Sequence, residues 1–102
     1  RITNQWKFIE EIDNGIVQNP SATEPVEVLE IKEDGSYIDT FGSYSYIGTW
    51  SFSSDKESVI LTPPSTSFWG PTTFKILRLK SNELWLQETD GSEIFEYHYE
   101  KD

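Results

Sequence analysis

From Tyr44 to Phe52 the chain reads Tyr-Ser-Tyr-Ile-Gly-Thr-Trp-Ser-Phe, an aromatic ring at every second position with a single break at Gly48. Only a pleated strand sends alternate side chains to opposite sides, so these rings share one face of a sheet, and that face is expected to be buried. A helix would scatter the same rings around its axis. Gly48, in the middle of the row, lets the strand bend as a barrel or a strongly coiled sheet requires.

The remaining sequence repeats this pattern at shorter length, with turn signals about every ten residues. A first strand over Gln5 to Ile12 carries Trp6, Phe8 and Ile12, with Glu10 on the same parity, and ends at Asp13-Asn14-Gly15. Asn19-Pro20-Ser21 to Pro25 reads as loop. A second strand, Val26 to Lys32, changes parity between Val28 and Leu29, a shift that one β-bulge would absorb. Asp34-Gly35 turns it into Ser36 to Phe41, where Tyr37 and Phe41 share a face.

Ser53-Ser54-Asp55-Lys56 closes the aromatic strand, and Val59 and Leu61 continue until Pro63-Pro64, which cannot donate to a ladder. Thr72 to Lys80 carries Phe74, Ile76, Leu77 and Leu79 with a second parity break. Ser81-Asn82 leads into Glu83 to Thr89, where Leu84 and Leu86 oppose Trp85 and Gln87, and Asp90-Gly91 leads into Ser92 to Tyr99, with Phe95, Tyr97 and Tyr99 inside. These eight strands are joined mostly by tight turns, and no window sustains a period of 3.6 residues. The reading is one all-β domain over residues 1–102, an eight-stranded antiparallel up-and-down barrel.

Size and charge agree with one such domain and narrow its partners. A chain of 102 residues forms one core, and 15 % aromatic against 35 % apolar content means few but large core side chains. The net charge of −10 repels phosphate backbones and anionic lipid, which argues against nucleic acid. No apolar run approaches the ~18 residues of a membrane span, so no membrane insertion by these residues is expected. The acids interleave with apolar residues along the strands, which reads as a solubility device, and no spacing points to a cationic partner. Without cysteine there is no disulfide, thiolate metal site or thiol nucleophile. The chain opens at Arg1-Ile2-Thr3 without an initiating Met or an apolar signal core and reads as a trimmed mature segment.

No constellation points to catalysis, a metal or a cofactor. His98, the single histidine, alternates with Tyr97 and Tyr99 and is expected to face solvent without a partner. No Gly-x-Ser-x-Gly elbow exists to hold a nucleophile. Glu10-Glu11 and Glu88 with Asp90 supply carboxylates, but adjacent strand residues face opposite sides, and Asp34-Gly35 lacks the oxygen spacing of a calcium loop. Trp6, Trp50, Phe52 and Leu86 sit mid-strand and read as core. Phe68 and Trp69, in a proline-flanked loop over Ser65 to Pro71, are either a plug over the barrel end or an exposed contact surface.

A Trp on the first strand, the Asp34-Gly35 hairpin followed by Tyr37, then Gly48-Thr49-Trp50 and Leu84-Trp85-Leu86, together resemble the bacterial lipocalin-like domains over nearly the whole chain. Such domains are small, eight-stranded and typical of exported proteins and lipoproteins of Bacteroidetes. The resemblance implies a barrel with a tapered interior and an extracytoplasmic location, secreted, periplasmic or on a surface lipoprotein. Together with the aromatic excess it suggests a non-enzymatic module without cofactor. Its mouth, ringed by Tyr44, Tyr46, Phe68, Trp69 and Trp85, would bind a small apolar or aromatic-stacking ligand. The alternative is a structural or protein-interaction domain with a filled barrel, in which Phe68 and Trp69 are protein contacts.

Overall fold

The computed structural model describes residues 1–19 and 25–102, and the regular structure in them is entirely β-strand. The strands are β1 (Asn4–Asp13), β2 (Ile16–Gln18), β3 (Glu27–Ile31), β4 (Ser36–Phe41), β5 (Tyr44–Phe52), β6 (Ser58–Thr62), β7 (Thr72–Leu79), β8 (Glu83–Asp90) and β9 (Glu93–Lys101). From β3 to β9 each strand pairs antiparallel with the next, and β1 pairs with β3 on one edge and β9 on the other. This closes an eight-stranded up-and-down antiparallel barrel, the architecture read from the sequence and one consistent with a lipocalin-like barrel.

Short-range chemistry makes the turns. Asn14 and Gly15 both take positive φ, 50° and 85°, the combination that matches a two-residue hairpin turn to the twist of its strands. The Asn14 side chain also accepts the Ile94 N–H at 2.9 Å, tying this turn to β9. At the next hairpin Asp34 Oδ1 accepts the Ser36 N–H at 2.9 Å and the Ser36 hydroxyl at 2.6 Å.

β2 adds a short ninth strand beside the ring of eight. β3 pairs with β1 only from Asn4 to Lys7, which leaves Glu11 to Asp13 with an unpaired edge, and the Asn14-Gly15 turn folds Ile16–Gln18 straight onto it. The strand lies outside the barrel ring. The loop read over Asn19-Pro20-Ser21 to Pro25 lies largely outside the described residues.

Two of the parity expectations also change. β3 pairs with β4 without a register shift, so no bulge separates Val28 from Leu29. Val26 precedes the strand and is exposed, while Glu27, Leu29 and Ile31 alternate inward. The bulge sits instead in β1, between Phe8 and Glu10. It turns Glu11 and Asp13 to the side occupied by Trp6 and Phe8, and Ile12 to the outside. The break in β7 is a bulge where the sequence marked it, between Ile76 and Arg78.

The core fills one end of the barrel. Ile2, Trp6, Leu29, Ile31, Val59, Leu84 and Leu86 are buried there, with Tyr37 and Tyr99 above them. The Trp6 indole N–H donates to the Ile2 carbonyl at 2.8 Å, drawing the N-terminal residues across that end. The Trp50 indole N–H donates to the Lys32 carbonyl at 2.7 Å beside the Asp34-Gly35 turn.

The aromatic row of β5 faces inward as read, but it is not uniformly buried. Trp50 is half-buried, whereas Tyr46 is 59 % and Tyr44 70 % exposed. The reason lies in the pairing, because β6 covers β5 only from Thr49 to Phe52. Pro63-Pro64 ends β6 at Thr62, and among the described residues no strand covers that edge of β5 from Tyr44 to Gly48. The wall therefore has a slot near its open end.

Candidate functional site

Strand direction alternates, so the β1–β2 turn, the Gly42 turn, the Pro63 to Pro71 loop and the Asp90-Gly91 turn gather at the end opposite the core. The barrel is hollow there. A cavity of about 470 Å³ is lined by Phe8, Phe41, Phe74 and Tyr97 with Leu29, Leu61 and Leu86 at its floor and sides. A second hollow of about 430 Å³ shares Asp39, Leu61 and Phe74 with the first and reaches Tyr46, Pro63 and Trp69 at the slot beside β5.

Four carboxylates line the main cavity: Glu11, Glu27, Asp39 and Glu88. Pleat geometry puts each one there. Glu27 alternates with Leu29 and Ile31, Asp39 stands between Tyr37 and Phe41, and Glu88 continues the row of Leu84 and Leu86. Glu11 is turned inward by the β1 bulge. Among the described residues no Lys, Arg or His lines this cavity. The acids are thus not merely surface charge, which corrects the solubility reading of part of them.

Burial and mutual contact shape their protonation. Burial, then the hydrogen bond and charge of Glu27, push the Asp39 carboxyl up to about 9. Glu27 is raised by burial, against the lowering effect of hydrogen bonds with Asp39 and Tyr99, whose hydroxyl donates to Glu27 Oε2 at 3.3 Å. The pair shares a proton, because two carboxylates in contact in a desolvated site do not both ionise. Glu11 is pushed up to about 7, first by its hydrogen bond with Asp13 and then by burial. The Tyr97 hydroxyl donates to Glu88 at 2.9 Å, and burial holds both Tyr97 and Tyr99 above the ordinary phenol range.

The residues named from sequence for the mouth divide. Tyr46 and Trp69 line the side hollow. Tyr44 stands on the lip, outside both hollows. Phe68 is 90 % and Trp69 74 % exposed, and their rings meet edge to face at 5.4 Å, so the loop pair is an exposed surface and not a plug. The turn beneath them is held by the Ser67 N–H on the Pro64 carbonyl and the Trp69 N–H on Ser67 Oγ.

Trp85 does not reach the mouth. It points outward from the middle of β8, opposite in the pleat to Leu84 and Leu86, and stacks on the His98 ring at 4.0 Å with an interplanar angle of 9°. Arg78 covers its other face, 5.0 Å from the ring centre. His98 faces outward as read, yet it is only 6 % exposed, because Trp85 covers the ring and Glu10 and Glu96 take its two nitrogens. Arg78, Trp85, His98 and Glu10 are successive cross-strand partners, so they form a row across the outside of β7, β8, β9 and β1.

Sequence reasoning weighed Glu11 and Glu88 as carboxylates but paired them with their chain neighbours, and it passed over Glu27 and Asp39. For Glu27, Asp39 and Glu88 the signal was present, since each shares parity with two core residues. For Glu11 it was not, because the β1 bulge falls in a run with no marked break. Among the described residues no three of His, Asp or Glu converge as metal ligands do. No family model matches the chain, and comparison with curated proteins and with solved structures found no significant match.

Proposed function

We propose that this chain is a non-enzymatic, extracytoplasmic lipocalin-like module that takes a small ligand with an apolar or aromatic body into the open end of its barrel. The observation that carries the reading is the cavity of about 470 Å³ above a packed core, walled by Phe8, Phe41, Phe74 and Tyr97. A concave, largely apolar hollow with a few convergent polar groups is the usual form of a small-molecule site. The single histidine lies on the outer wall. The extracytoplasmic placement rests on the resemblance to exported domains alone.

Thermal-shift screening of amphipathic small molecules against the purified chain tests the reading. A ligand for this cavity raises the melting temperature, and substituting Phe74 by Glu removes that rise. A full screen with no stabilising compound would sink the proposal. One observation favours the second reading, a protein-interaction domain: the Phe68–Trp69 pair presents two large rings to solvent. Partner capture that depends on these rings and not on Phe74 would support it.

A further inference from the structure

The chemical class of the occupant can be read from the cavity, an inference that rests on the lumen reading above. Among the described residues no basic side chain lines the cavity beside its carboxylates, although buried charge in proteins is ordinarily paired. Asp39 lines both hollows, so its carboxyl stands where the two open spaces join, and it is in hydrogen-bond contact with Glu27. The walls are aromatic, and ring faces attract cations, organic ammonium groups above all. The hollow is far larger than a metal ion, and its acids do not converge as metal ligands.

We propose that the cavity binds an organic ammonium ion with an apolar body, its charged group between Glu27 and Asp39 and its body along Phe74 and Leu61 toward the slot beneath Trp69. The ammonium donates N–H hydrogen bonds to the Asp39 and Glu27 carboxylates, and its positive charge takes over the role of the proton that the two acids share. That proton leaves to the buffer, breaking the carboxyl O–H bond, while the ligand's own N–H bonds stay intact. Binding at neutral pH therefore releases one proton for each ligand taken up.

Titration calorimetry at pH 7 in two buffers of different ionisation enthalpy tests this, with 2-phenylethylamine and 4-phenylbutylamine against their neutral alcohols. The amines are expected to bind at least about ten-fold more tightly than the alcohols, the factor that one charge-assisted hydrogen bond supplies. The heat should differ between buffers by the ionisation of about one proton. Asp39→Asn should reduce amine affinity to that of the alcohols and leave alcohol affinity unchanged, with a single cooperative melting transition showing that the variant is folded. If the melting curve shows that this variant has not folded, Glu27→Gln carries the same comparison. Equal affinity for amine and alcohol would overturn the inference and leave the lumen reading standing. Failure of every amine and alcohol to bind would remove both. Uptake of calcium alone through these carboxylates, with no preference for amines, would assign a metal site in place of the proposed one.

Discussion

A side chain on Gly48 would place its Cβ 2.4 Å from the Thr62 carbonyl oxygen and 2.6 Å from the Tyr37 ring. The first contact is with backbone, which cannot swing aside, so the clash is relieved only by moving β6 away from β5 at the point where their pairing ends. Gly48→Ala is therefore expected to cost about 2 kcal/mol or more in chemical denaturation, at the upper end of what overpacking usually does. A loss under about 0.5 kcal/mol would show that the strand end yields freely. Asp39 presents the opposite case, a polar group where the pleat calls for an apolar one. Flanked by Tyr37 and Phe41 on the inward face, it is retained at the cost of desolvation. At such a site removing the charge is harmless to the fold, unlike removing volume.

Among the elements, β1 departs most from regularity, and its bulge has two consequences at once. It aims Glu11 into the cavity and sets Glu10 against His98 on the outside. The bulge in β7 likewise turns Arg78 out, over Trp85. The two irregular strands thus meet in a stacked row that crosses the seam where β9 closes the barrel on β1. Trp85→Ala unstacks His98 and uncovers it, and a loss of about 1–3 kcal/mol is expected, with binding in the cavity unaltered. An affinity change without a stability change would return Trp85 to the mouth. The Ser65 to Pro71 loop behaves differently, since its rings touch little but each other. Replacing both Phe68 and Trp69 by Ser should alter stability by no more than about 1 kcal/mol, the range of exposed sites, and a larger drop in melting temperature would mean that the loop braces the slot.

For the whole molecule the inward acids set the pH response. Asp39 has an ordinary value of 3.8 and sits at about 9 in the folded chain. Between these values the folded state holds a proton that the unfolded state has lost, so stability is greatest on the acid side and falls as pH rises toward 9. Glu27 and Glu11, both raised, act in the same direction. The melting temperature at pH 5.5 should exceed that at pH 8.5 by roughly 5 °C or more, and Asp39→Asn should flatten most of the difference. A slope that survives the substitution would instead be assigned to general repulsion at a net charge of −10. The alternation of Tyr44 to Phe52, the apolar rows ending in Leu86 and Tyr99, and the Asn14-Gly15 and Asp34-Gly35 turns were legible directly, because each depends on a few neighbouring residues and the two-residue pleat. Inward parity for Glu27, Asp39 and Glu88 was legible by the same rule, although it took the structure to show that the barrel is hollow at their level. The β1 bulge, the strand β2, the slot beside β5 and the covering of His98 by Trp85 were not legible. Each depends on how far one strand runs past its neighbour once the ring has closed, and that stagger is settled by packing across the barrel, between residues distant in the chain.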